Sequence, residues 1–214
     1  KTAIITAAQN PICSGTGTTL TAAIVQSGTV TLGTGTLTST SAATNPFYGI
    51  WGGAKTQYIV RASELNALGL GAGNINSLGI NITSAGSTLD GFAIAMESTS
   101  LTAFVSPSDI KPVTNTVYSN PSWVPVNGLN TFTLSSPFNW DGTSNVIISF
   151  CWSNNNAANT TSTINYHSPG FITSQVRYAD NATSADVCNY TGTGTVLGSG
   201  NGSTTSSLRP ILTF

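Results

Sequence analysis

Apolar and polar positions alternate with a period of two along most of this chain, and that period predicts strands rather than helices. Val146, Ile148, Phe150 and Trp152 share one face of the strongest run, which is entered through an Asp141-Gly142 turn. Leu78, Ile80 and Ile82 alternate with Gly79, Asn81 and Thr83, and Phe92, Ile94 and Met96 alternate with Ala93, Ala95 and Glu97. The Leu89-Asp90-Gly91 signal between these two runs predicts a single hairpin with a long loop over residues 78–96. Phe132 and Leu134 alternate with Thr131 and Thr133, and residues 58–61, 161–166, 172–178 and 208–214 read as further strands. Near the start, residues 2–6 and 19–25 read as strands, with turn signals at Asn10-Pro11 and Ser14-Gly15. Val30 and Leu32 then face one way and Thr29 and Thr31 the other. Only residues 62–70 carry helix signals: Ser63 as cap, Leu65 and Leu68 facing inward, Gly69 as the stop. Many short strands with one short helical turn predict an all-β fold, an antiparallel β-sandwich of jelly-roll type. The sandwich is expected over residues 46–214. Residues 1–45 read as an N-terminal strand or linker segment: a linker, part of a neighbouring domain, or an edge hairpin able to serve as an assembly strand.

At 214 residues and 39% hydrophobic content the chain has material for one large core. Charge changes the picture most. Lys and Arg number 6 and Asp and Glu 7, about a quarter of what a typical domain carries. Six basic residues cannot build a phosphate-binding stripe, which excludes nucleic acid and an electrostatic membrane-surface role. The longest apolar runs, such as residues 145–152, are far shorter than a membrane-spanning helix, so no membrane insertion is expected. No signal or transit peptide is visible, so the chain reads as cytoplasmic or as a mature fragment. The scarcity of charge favours the fragment, since it leaves a surface open to self-association or glycosylation. Three cysteines suit one disulfide and one leftover thiol, more at home outside a reducing cytosol. Asn81, Asn159, Asn181, Asn189 and Asn201 are candidate N-glycosylation sequons, although Asn and Thr are abundant enough here to produce them by chance.

Candidate chemistry is sparse. His167 is the one histidine and sits where a strand runs into a turn, with no nucleophile elbow in the chain. Among the carboxylates Asp90 and Asp141 precede glycine in turns, Glu64 follows the helix cap, and only Glu97 and Asp109 lack an evident structural role. Nothing pairs those two as glycoside hydrolysis would require. No zinc or EF-hand motif occurs, and no cofactor is expected; a structural calcium on backbone carbonyls would leave no trace in sequence and is not indicated. Tyr48, Trp51, Tyr118 and Trp123 read as loop aromatics beside Gly52-Gly53 and Asn120-Pro121. They would either stack sugar rings or cover the open ends of the sandwich.

Three stretches together resemble a known family. They are Tyr58-Ile59-Val60-Arg61-Ala62-Ser63-Glu64-Leu65 with Gly71-Ala72-Gly73-Asn74-Ile75, then Pro137-Phe138-Asn139-Trp140-Asp141-Gly142-Thr143-Ser144-Asn145, then Ser207-Leu208-Arg209-Pro210-Ile211. The pattern is similar to β-sandwich modules of large secreted and cell-surface proteins of Bacteroidota, which commonly carry a type IX secretion sorting domain. It covers residues 46–214. The resemblance implies a Cys151–Cys188 bridge, leaves Cys13 outside the covered stretch, brings no catalytic residues, and implies an extracellular or cell-surface location. A pairing of Cys13 with either partner would tie the N-terminal segment to the sandwich instead. The expected function is therefore a non-enzymatic module of an adhesin-like or filament-forming surface protein, whose partners are copies of itself or neighbouring modules. The alternative is a carbohydrate-binding module taking surface glycans on the loop aromatics.

Overall fold

The computed structural model describes residues 2–8, 11, 14–15, 17–25, 28–107, 110–155, 159–192 and 198–214; Asn10, Cys13 and Asp109 lie outside the described residues. In chain order the elements are β1 (Thr2–Ala7), β2 (Leu20–Val25), β3 (Thr31–Leu32), β4 (Thr38–Ser39), β5 (Gly53–Val60), α1 (Ala62–Ala67), β6 (Gly73–Ser84) and β7 (Leu89–Thr99). They continue with β8 (Thr116–Trp123), β9 (Gly128–Trp140), β10 (Asn145–Ser153), β11 (Thr163–His167), β12 (Ser174–Asp180), α2 (Ser184–Asn189), β13 (Ser199–Ser206), β14 (Arg209–Pro210) and β15 (Leu212–Thr213).

Two antiparallel sheets face each other. One has the order β13-β12-β5-β10-β7-β8; the other joins β14, β11, β6, β15 and β3, with β4 on β11 and β9 on β6. The chain crosses between the sheets after β4, β5, β6, β8, β9, β10, β11 and β13, an alternating path that makes an antiparallel sandwich. The core lies where alternation predicts it. Phe92, Ile94 and Met96 of β7 and Val146, Ile148, Phe150 and Trp152 of β10 meet Leu78, Ile80 and Ile82 of β6 and Phe132 and Leu134 of β9. The two largest buried rings keep their polar handles satisfied: Trp152 Nε1 donates to Pro46 O at 2.9 Å and Trp140 Nε1 to Ser144 O at 2.8 Å.

Several expectations change. Residues 78–96 do not form a hairpin: β6 and β7 lie in opposite sheets, and Asp90-Gly91 falls inside β7. Alternation reports which face a residue takes and is silent on which strand lies alongside. There are two short helices among the described residues, not one. Ser63 does not cap α1; the Glu64 carboxylate does so by accepting the Arg61 N–H at 2.9 Å. Residues 30–45 are not separate from the sandwich, because β3 pairs with β15, β4 pairs with β11, and Val30, Leu32 and Ala43 enter the core. What stands apart is β1 with β2, a two-stranded sheet of its own.

The three stretches that carry the resemblance meet in space. Asn145 Oδ1 accepts the Ala62 N–H at 2.8 Å, and Asn66 Nδ2 donates to Gly142 O at 3.3 Å. Gly142, at φ +81°, packs against Ala72 so closely that a Cβ would lie 2.9 Å from its nitrogen. Arg209, fully buried, pairs with Glu64 through NH2 to Oε1 and through NH1 to Oε2 at 3.1 Å. These residues hold α1 against the sandwich, so the motif positions are spent on the fold.

Candidate functional site

The outer face of the six-stranded sheet is not left to solvent. Its rows follow from the register: Ala93, Cys151, Lys55 and Arg177 in one, Ala95, Ser149, Gln57 and Gln175 in the next, Glu97, Ile147 and Ile59 in the third. Two covers lie on it. Leu101, Phe104 and Val113 pack on Ile59, Ala95 and Ile147. Helix α2 packs Val187 on Ala179 and Cys151, and the Cys151–Cys188 disulfide, with Cα atoms 5.3 Å apart, fastens it there. Closing that 37-residue loop stabilises the fold by about 4 kcal/mol in the chain-entropy account. Gln57 fastens the first cover in the manner of a strand, its Nε2 donating to Lys111 O at 2.7 Å and its Oε1 accepting the Lys111 N–H at 2.9 Å.

Between the covers remains a cleft of about 170 Å³. Its floor is Lys55, Ala95, Ser149 and Cys151; Thr114, Thr116 and Asn189 stand at its exposed rim. Lys55 is 2% exposed, and its Nζ donates to Cys188 O at 2.7 Å and Tyr190 O at 2.8 Å. It thereby satisfies carbonyls at the C-terminal end of α2. Burial pulls its pKa down to about 8, and the charge of Glu97 opposes that fall. Glu97 itself accepts Thr114 N at 2.5 Å, Thr114 Oγ1 at 2.9 Å and Asn115 N at 3.2 Å. Burial raises its pKa, but those hydrogen bonds and Lys55 outweigh it and leave the carboxyl below its ordinary value. Ser149 is 3% exposed and its hydroxyl has no partner.

The aromatic candidates separate. Tyr118 and Trp123 lie on β8, not in loops, and Trp123 is 7% exposed, with ring centroids 4.8 Å from Phe92 and 4.9 Å from Phe47. It is core. Tyr48 and Trp51 are half-buried near the β12–β13 edge, where Trp51 stacks on Tyr178 at 5.2 Å and lies against Gly200. The sandwich therefore brings together Tyr48, Trp51 and Tyr178, and leaves Tyr118 and Trp123 apart from them. Of the sequons, Asn181 and Asn189 are exposed, whereas Asn81, Asn159 and Asn201 are half-buried. Asn81 donates to Asn165 Oδ1 at 2.6 Å, and Asn201 accepts from Arg177 NH2 at 2.5 Å.

His167 ends β11 in the other sheet, and its Nε2 accepts from Arg209 Nε at 3.1 Å. Burial first, and the Arg209 charge second, lower its pKa to about 4. Among the described residues no three His, Cys, Asp or Glu side chains cluster, and no helix is long and apolar enough to cross a membrane. Lys55, Ser149 and the Arg209–Glu64 pair escaped the sequence reading. The signal for Lys55 was a single cation set between Ala54 and Thr56 in an otherwise uncharged strand, in a chain with only six basic residues. Comparison of the chain with protein-family models, with curated proteins and with solved structures finds no match.

Proposed function

We propose that the chain is a non-enzymatic, extracellular β-sandwich module of an adhesin-like or filament-forming surface protein of the Bacteroidota type, and that its work is assembly with copies of itself. The observation that carries this reading is the β1–β2 hairpin. It pairs with no other strand among the described residues, and Ile5 and Leu20, at 67% and 65% exposure, sit on one face of it because Ile5 faces Ala22 and Ala7 faces Leu20. An isolated two-stranded hairpin is marginally stable in water. Neither strand carries a charge or a proline to protect its edge. The same chain offers an acceptor of matching character. Strand β13, Ser-Gly-Asn-Gly-Ser-Thr-Thr-Ser, ends the six-stranded sheet with no charge and no proline, and among the described residues β12 is its one strand neighbour. Strand addition of the hairpin of one copy to β13 of the next is a heterologous contact, and such contacts propagate into chains.

Light scattering over a concentration series tests this. The intact chain should form multimers that disappear on removal of residues 1–27 and on Ser203→Lys with Thr205→Lys, while the thermal midpoint of the sandwich stays put. A chain that remains monomeric into the high-micromolar range, or multimers indifferent to both changes, would sink the proposal. Glycan recognition is a second reading, favoured by the half-buried Trp51–Tyr178 stack with Tyr48 beside it. A glycan array with the Trp51→Ala variant as control tests it.

A further inference from the structure

The cleft on the outer face of the six-stranded sheet contains two donors that the described residues leave unspent. Lys55 Nζ has three N–H groups, and two are used on Cys188 O and Tyr190 O. Ser149 Oγ is buried, lines the cleft, and has no partner at all. Leaving a buried hydroxyl without a partner costs stability, and native structures rarely do so without a ligand or a role. The two residues are near neighbours on one face: Lys55 stands opposite Cys151, and Ser149 is the next residue of β10 on that face.

We infer that this cleft binds a small carboxylate, which takes one oxygen to the Lys55 ammonium and the other to the Ser149 hydroxyl. The size of the cleft, about 170 Å³, lies below the roughly 300–1,000 Å³ of sites that enclose drug-sized ligands. It admits a single small group, not an oligosaccharide. The charge fits a monoanion. Among the described residues Lys55 is a buried cation with no carboxylate within ion-pair distance, and Glu97, whose charge acts on it, is held in place by Thr114 and Asn115. That same Glu97 disfavours a doubly charged phosphate or sulfate. The rim at Thr114, Thr116 and Asn189 is exposed, so the carboxylate can belong to a larger body outside. Two sources share this chemistry: an acidic monosaccharide and the free C-terminus of a peptide.

Amide chemical shifts followed during titration decide the matter. Sodium acetate should give a saturable shift at Ser149, Thr114 and Asn189 that matched sodium chloride does not give. Glucuronate binding more tightly than acetyl-glycylglycine identifies the sugar source, the reverse identifies the peptide, and equal binding supports the carboxylate alone. Ser149→Ala should weaken acetate by about tenfold, the worth of one hydrogen bond to a charged group, without altering the spectrum elsewhere. Lys55→Met should abolish binding; if it fails to fold, Ser149→Ala decides alone. No saturable shift, an unchanged affinity in Ser149→Ala, or equal binding of chloride or of the amidated dipeptide would overturn the assignment.

Discussion

Replacing Arg209 with methionine should be among the most damaging single changes available in this protein. The guanidinium is fully buried and contacts four other parts of the chain. NH1 donates to Ile59 O at 2.6 Å, to Glu64 Oε2 at 3.1 Å and to Thr173 Oγ1 at 3.2 Å; NH2 donates to Glu64 Oε1, and Nε to His167 Nε2 at 3.1 Å. Methionine fills much of the volume, so the loss is electrostatic. Ile59 O keeps a partner in Thr173 Oγ1 at 2.8 Å, and Glu64, 19% exposed, keeps the Arg61 N–H. Stranding one partner of a buried pair costs about 3–5 kcal/mol, and the partial exposure of Glu64 places this case near about 3 kcal/mol. Adding Glu64→Gln removes the stranded charge, so the double variant should recover about 1–2 kcal/mol, a coupling well above the scatter of independent sites. Urea denaturation at constant m measures all three variants.

A second signature accompanies the first. His167 has its folded pKa held near 4, below its unfolded value of about 6.5, so the unfolded chain takes up the proton first as pH falls. Stability is thus fully present above about pH 6.5 and lost toward pH 4, by about 1–2 kcal/mol after allowance for screening of a half-buried ring. Arg209→Met removes the smaller of the two causes, so this acid slope should become shallower. A cost below about 1 kcal/mol for Arg209→Met, or no coupling to Glu64→Gln, would refute the reasoning.

Lys55 has its folded pKa near 8, below its unfolded value of about 10.4, so here the unfolded chain binds the extra proton and stability should rise with pH. Denaturation midpoints should gain about 1.5 kcal/mol between pH 8 and about pH 9.5, a gain absent from Lys55→Met. Replacing both Cys151 and Cys188 with alanine should cost about 4 kcal/mol, read from the shift in urea midpoint against the oxidised parent. Trp123→Ala should cost about 3–5 kcal/mol, because the indole is packed between Phe92 and Phe47. On a glycan array at a temperature where that variant stays folded, it should bind as the parent does; a selective loss of binding would reverse the assignment of Trp123 to the core.

Sequence alone determined which residues face the core wherever one face of a strand meets it and the other meets water. Strand β9 is the clear case: Phe132 and Leu134 are buried, Thr131 and Thr133 exposed, because period-two patterning is a local consequence of the pleat. The Asp141-Gly142 turn was legible for the same reason, since Asp141 Oδ1 accepts the Thr143 and Ser144 N–H groups within four residues. Alternation fails once both faces are covered. All eight residues of β5 are buried, Lys55 and Gln57 included, and their cover comes from α2 and the segment around Phe104, more than forty residues further along the chain. Strand β13 left no apolar pattern to read, because its Gly, Ser and Thr residues join the sheet through backbone pairing with β12, which needs no apolar side chains. The placement of β6 and β7 in opposite sheets, the Arg209–Glu64 pair 145 residues apart, and the cleft over Lys55 and Ser149 were decided only by tertiary structure. Each depends on which strand lies beside which and on what covers the far face, and those are properties of the closed sandwich, not of any stretch of chain short enough to carry a pattern.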